Sequence, residues 1–406
     1  MTTSNSLLLR RAQSVQTRLN LPVLRRIIRL PPSITDNAIE HAVRAASARH
    51  PLSSVEFSLC NKLQFIIPDA WPIEWNEGND SLETFRILKK ESLRTADVVI
   101  GSKKYPDRQI HSFCLKVVRG LHDTQVRILA PHTIVDGYGM NTVVNSFLSL
   151  VSGIRDIRPL DEKKEFSQFV EHERCQQQYP DSESSAFWNH CYENYKPFPL
   201  SECGDGSLEC HDTYLEFSLS DTQTKFLSTR FLRAKASISS GILTIFSLSF
   251  SKVFGVDQIA IRMTDNQRRQ NNRSNIGAYF AEDYVLFLRD LDALSFDSAL
   301  AQAAQQQSLS LKYINSFRHF DLPDIGTANI KYHYKKVWHA GAFHPDISLG
   351  SNKEPRPIDK LVRINVIPNK PGLRIQVICN GRLISVEHCS ELKREIIKYL
   401  QGDIRG

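Results

Sequence analysis

The chain has no CxxC pair, and no apolar run approaches the roughly 20 residues needed to cross a bilayer. Its eight cysteines, at 60, 114, 175, 191, 203, 210, 379 and 389, are scattered through 406 residues. That spacing indicates neither a zinc ribbon nor a disulfide framework. The tightest group is Cys203, Cys210 and His211 in CGDGSLECH, which a surface loop of free thiols explains as well as a metal site does, so no metal is expected. The longest greasy stretch, GILTIFSLSFSKVFG, is broken by serines and a lysine. The amino-terminal MTTSNSLLLRRAQSVQ has one three-leucine run followed by two arginines, which does not make a signal peptide. The expected location is cytoplasmic, with no membrane partner. A concentrated Lys/Arg stripe with interleaved aromatics is also missing, which sets nucleic acid aside. So are a nucleophile elbow and a recognisable Cys/His pair.

What is present is an ordinary globular composition, 41% hydrophobic and 23% charged. A chain of 406 residues exceeds one ordinary core, so two lobes are expected. The net charge of +7 makes the surface mildly basic, and such a surface attracts acidic proteins or phosphorylated cofactors.

Periodicity supplies the elements. ITDNAIEHAVRAASARHP offers Thr35 and Asp36 as caps, Ile39, Val43 and Ala46 on one face, and Pro51 beyond its end, which makes a helix of about four turns. HSFCLKVVRG and TQVRILA read as strands separated by the turn-prone LHD. GYGMNTVVNSFLSLVSG keeps helical spacing through Met140, Val143, Val144, Phe147, Leu148 and Val151 until Gly153 stops it. From Asp156 to Cys210 the composition turns polar and Pro/Gly-rich, reading as a linker with a helix around Phe187 and Trp188 inside it. A second cycle of strands and helices follows, closed by a helix from Glu387 to Leu400. The expected class is α/β (α+β), in three parts: a first lobe over 1–160, a linker over 161–210 and a second lobe over 211–406.

Between strand and helix lies APHTIVDGYGM, with His132 four residues before Asp136 and Gly137. PHTIVDG resembles the HHxxxDG signature of condensation domains from nonribosomal peptide synthesis and of their relatives: chloramphenicol acetyltransferase, plant BAHD acyltransferases and polyketide-associated acyltransferases. HAVRAASARHPLSS is similar to the family's early ALRRLVxRHPxLR element through Arg49, His50, Pro51 and Leu52. AFWNH, TDNQRRQNNRSNIGAYFAEDYVLFLRD and LRIQVICNGRLISVEHCSELKREIIKYL resemble later blocks, so the likeness covers nearly the whole chain. Pro131 stands where the signature has its first histidine, Ser53 where an arginine is usual, and the DFGWG element of the plant enzymes is absent. These departures leave the branch open.

The resemblance implies two chloramphenicol-acetyltransferase-like lobes forming a V-shaped pseudo-dimer with a central tunnel. It implies transfer of an acyl or aminoacyl group from a carrier protein's phosphopantetheine thioester to a small-molecule amine or hydroxyl, in natural-product biosynthesis. Coenzyme A is the alternative donor, a catalytically silent docking platform the alternative role, and no bound cofactor is implied. His132 is the expected general base, since an imidazole titrates near neutrality. Gly137 is expected beside the reacting carbonyl, where a backbone N–H faces the oxyanion only if no side chain intervenes. Asp136 is expected to be architectural, paired with an arginine of the second lobe at Arg268, with Arg269 as the alternative. Tyr138 and Gly139 are expected to line the substrate pocket. Asn145 and Ser146 read as packing or surface positions, and His339 and His344 as ordinary loop histidines. A carrier protein is the expected partner and a monomer the simplest oligomeric state.

Overall fold

The computed structural model describes residues 23–50, 56–58, 64–66, 70–77, 110–111, 113–120, 123–132, 135–153, 167–168, 171–172, 174–175, 180–193, 195–196, 198, 212–268, 275–319, 329–334, 348–350, 361–368 and 372–402. The chain divides into two compact units. The first comprises Met1–Gln177, Asn266–Ala281 and Trp338–Glu354, the second Gln178–Asp265, Glu282–Val337 and Pro355–Gly406.

The first unit opens with β1 (Val23–Leu30) and α1 (Asp36–Arg49), the helix capped by the Thr35 side chain, which accepts from the Ala38 N–H. Short strands β2 (Glu56–Ser58), β3 (Gln64–Ile66), β4 (Ile73–Glu77) and β5 (Ile110–His111) precede β6 (Cys114–Arg119), β7 (Thr124–Pro131) and α2 (Gly137–Val151). A later strand, β12 (Ser348–Gly350), adds to the edge of β1, so the main sheet runs β12-β1-β7-β6-β4, and β2, β3 and β5 form a small separate sheet. In this sheet β7 is antiparallel to β1 and β6. The two-residue period of the strands sends Ile28, Leu30, Val117, Val126 and Ile128 to one face. There they pack against Ile39, Val43 and Ala46 of α1 and Val143, Phe147 and Leu148 of α2.

The second unit contains α3 (Ser182–Tyr192), β8 (Thr213–Leu219), α4 (Asp221–Arg233), α5 (Ile238–Phe254), β9 (Ile259–Asp265), β10 (Glu282–Leu288), α6 (Phe296–Lys312), β11 (Ile330–Tyr334), β13 (Val362–Pro368), β14 (Leu373–Cys379) and α7 (Val386–Leu400). Its six-stranded sheet runs β10-β9-β11-β13-β14-β8, with β11 parallel to β9 and β13. The serine-interrupted apolar segment is α5, buried along nearly all its length within this core. Among the described residues no single helix is long and apolar enough to cross a membrane. The expected α/β class with two mixed lobes is what is observed.

Two boundaries differ from the sequence reading. The 161–210 linker contains α3, whose Trp188 is fully buried in the second core and donates its indole N–H toward the Tyr313 carbonyl and Ser316 Oγ, each at 3.2 Å. Polar flanking residues conceal this, because of α3 only Ser184, Trp188 and Cys191 are buried, with Phe187 and Tyr192 partly buried against the core. The lobes are also not contiguous in sequence. Residues between β9 and β10, and those around β12, belong to the first unit, a long-range pairing that local periodicity does not encode.

Candidate active site

β7 ends at Pro131, paired with Val23 at the margin of the sheet, where a residue without an N–H is tolerated. His132 follows at once in a turn, half-buried. Its Nδ1 lies 3.1 Å from the Val135 carbonyl oxygen. A carbonyl only accepts, so Nδ1 carries the proton, and in the neutral ring Nε2 keeps its lone pair. The ring is 5.8 Å, centroid to centroid, from Tyr279.

Asp136 is the N-cap of α2 and is about 2% exposed. Its carboxylate is saturated. Oδ1 accepts from the Gly139 N–H at 2.6 Å and from Arg268 Nη2 at 3.0 Å. Oδ2 accepts from the Phe280 N–H at 2.8 Å and from the same Nη2 at 3.1 Å. Asp136 therefore makes no bond to His132, whose Nδ1 turns to Val135, and the pair is not a His–Asp relay.

Arg268 is 4% exposed and over-determined in the same way. Nη1 donates to the Ile276 carbonyl and Nη2 to the Ala278 carbonyl, both at 2.6 Å. The guanidinium carbon stands over two aromatic rings, 4.9 Å from the Tyr138 centroid and 4.8 Å from that of Phe280. The resemblance implied an arginine of the second lobe. Arg268 instead sits in the segment Asn266–Ala281, which packs as part of the first unit although both its ends continue into second-unit strands. The alternative Arg269 lies outside the described residues, as do Ser53, Cys203, Cys210, His211, His339 and His344.

The glycines divide by what surrounds them. A Cβ at Gly139 would stand 2.4 Å from the Ala278 backbone oxygen and 2.8 Å from Val135 Cγ2, so this glycine allows α2 to lie directly on the 276–280 segment. Of the two residues expected to line a substrate pocket, Gly139 packs against the Ala278 backbone and Tyr138 lies against the Arg268 guanidinium. A Cβ at Gly137 would meet nothing within 4 Å among the described residues, and no positive φ requires glycine there.

Sequence reasoning missed a second support. His50, at the C-terminal end of α1, is fully buried with Nε2 2.8 Å from Ser146 Oγ on α2. It also lies beneath Gly277, where a Cβ would come within 2.4 Å of Val143 Cγ2 and 3.5 Å of His50 Nδ1. Burial, with the nearby Arg49 charge second, pushes the His50 imidazole down to about 3, so it is neutral in the fold. The signal in the sequence was the His-Pro after a helix, quoted for its likeness but given no role. Ser146, read as a packing or surface position, is buried and bonded to this histidine. In the second unit, Arg289 at the end of β10 closes the C-terminus of α3, its Nη2 donating to the carbonyls of His190, Cys191 and Glu193. Among the described residues no group of His, Cys, Asp and Glu could hold a metal ion.

Residues 124–316 match the condensation-domain family. Among solved structures, the chain is similar to the condensation domain that mediates chain release from the enacyloxin polyketide synthase, at 16% identity and TM-score 0.68, covering 97% of this chain and 82% of that one. It is similar to VibH, a condensation enzyme of nonribosomal peptide synthesis, at 12% identity and TM-score 0.68, covering 99% and 96%. It is also similar to the X-domain seen in complex with OxyB from teicoplanin biosynthesis, at 11% identity and TM-score 0.68, covering 97% and 92%. At these identities the likeness is one of fold. No curated protein matches the chain in sequence.

Proposed function

We propose that this condensation-type fold catalyses acyl transfer, with the thioester of a carrier protein's phosphopantetheine arm as donor and an amine or hydroxyl as acceptor. The observation that carries the reading is the 3.1 Å contact of His132 Nδ1 with the Val135 carbonyl oxygen, which commits Nδ1 as donor and leaves Nε2 as the basic atom. As the acceptor nitrogen or oxygen attacks the thioester carbon, its proton passes to Nε2 and the carbonyl oxygen becomes an oxyanion. On collapse the carbon–sulfur bond breaks, and the imidazolium returns the proton to the departing thiolate. The backbone N–H of Gly137, in the first turn of α2, is assigned to the oxyanion. Asp136 and Arg268 do no proton chemistry; they hold the loop that carries His132 and the start of α2. Tyr138 acts through Arg268, and Gly139 through close packing.

The basic net charge suits a carrier protein or the phosphate of its arm, and equally coenzyme A. The test is a single-turnover mass-spectrometric assay offering an acylated carrier protein and, in parallel, the matching acyl-CoA, with pooled amines and alcohols as acceptors. Transfer from the carrier is expected, and the acceptor is identified by its mass. Equal transfer from acyl-CoA replaces the donor in this reading. No transfer from either donor, with tight binding of a protein partner, moves the chain to a docking role, a reading favoured by Pro131 in place of a histidine and by the likeness to an X-domain that binds OxyB.

A further inference from the structure

In β1 the residues on the core face are Leu24, Ile28 and Leu30, and alternation puts Arg26 in the same row. A guanidinium in an otherwise apolar row is costly unless something compensates it. Its compensation within the fold is small. Nε donates to Asn141 Oδ1 at 2.8 Å and Nη1 to the Arg25 carbonyl at 2.9 Å. No carboxylate among the described residues pairs with Arg26, and burial alone pulls it below the usual arginine range. Of its five N–H groups, three have no partner among the described residues. Asn141 Oδ1 accepts from Arg26, which orients the amide so that its NH₂ group adds two further donors beside the guanidinium. Arg26 and Asn141 together therefore form a patch of donors with unspent capacity and excess positive charge.

The patch is carried by the helix that begins at Gly137 and by the strand paired with the one leading into His132. Asn141 is one helical turn beyond Gly137 on the same face of α2, about 6 Å along the axis. Strand β1, which carries Arg26, pairs with β7, the strand that leads into His132.

We propose that Arg26 and Asn141 form a subsite for an oxyanion group, a carboxylate or a phosphate, carried by a substrate of the His132 site. A planar guanidinium with free N–H groups matches either group in a bidentate fork, and a helix-borne amide beside it fixes the orientation. The assignment of the ligand as a substrate rests on the acyl-transfer reading, whereas the anion preference of the site does not.

The test uses the full chain and calorimetric binding of probe pairs differing by one charge. One arm compares acetyl-4′-phosphopantetheine with acetyl-pantetheine, and the other a panel of α-amino acids with their α-carboxamides. In at least one arm the charged member is expected to bind wild type about tenfold or more tightly. Arg26→Gln, which retains a donor for Asn141, should reduce that preference below about twofold while leaving the neutral member's affinity unchanged. Arg26→Lys, which keeps the charge and loses the fork, should fall between, and serves if the glutamine variant does not fold. Equal binding of charged and neutral members in both arms, or a preference that survives both substitutions, overturns the proposal. Arg26-dependent preference without acyl transfer by wild type leaves the subsite standing and removes the transfer reading.

Discussion

At the scale of single residues, Asp136 and Gly137 are neighbours with opposite dependence on the fold. Asp136 accepts four short contacts from three donors, and truncating it leaves the Arg268 charge buried and uncompensated. Removing one partner of such a pair costs about 3–5 kcal/mol. Asp136→Asn keeps a good helix cap while neutralising the charge, so it isolates the ion-pair component from the capping component. Urea unfolding is expected to show both Asp136→Ala and Asp136→Asn destabilised, the alanine variant more. The two glycines give a sharper contrast. Gly139→Ala forces a methyl against the Ala278 backbone and should lower Tm by several degrees. Gly137→Ala meets open space and should leave Tm unchanged or slightly raised, while the rate of acyl transfer falls about tenfold or more. Equal effects of the two substitutions on stability would remove the distinction. The family resemblance singled out His132, Asp136 and Arg268 but not the direction of His132 Nδ1, because the partner is a backbone carbonyl with no side-chain signature.

At the scale of elements, α1, α2 and the 276–280 segment meet at His50. Its imidazole is held at about 3 by burial, against an ordinary value near 6.5 in the unfolded chain. Below pH 6.5 the unfolded chain therefore binds a proton that the folded chain refuses. The stability contributed is fully present above pH 6.5 and is lost as pH falls toward 3, by about 1.4 kcal/mol per pH unit. Chemical denaturation at pH 7 and pH 5 should differ by about 2 kcal/mol from this group, and His50→Gln, less stable at pH 7, should show a shallower slope. An unchanged slope in the variant would assign acid sensitivity elsewhere. The start of α1 was legible because caps and apolar faces are local, as Thr35 shows, whereas the capping of α2 by Asp136 was not read from the sequence. The packing of α2 on residues 276–280 was not, since glycines 139 and 277 mark close approach without naming what approaches.

At the scale of the whole molecule, periods of 2 and 3.6 identify two sets of strands and helices, and they say nothing of which set a connecting segment joins. Trp188 shows the first consequence: an aromatic inside a polar stretch reads as linker, yet it is fully buried in the second unit. Arg268 shows the second, since its chain neighbours are strands of one unit and its bonds lie in the other. The basic net charge, summed over the chain, bears on the charge of a partner and not on which donor is used. The central claim is that His132 supplies the base, while Asp136 and Arg268 hold the start of α2 beside it. The most direct measurement is single-turnover acyl transfer by wild type and His132→Ala, with circular dichroism and Tm recorded on the same preparations. The account predicts a loss of about 10²–10⁴ in rate with fold and Tm retained. Transfer at the wild-type rate by the folded variant would contradict it.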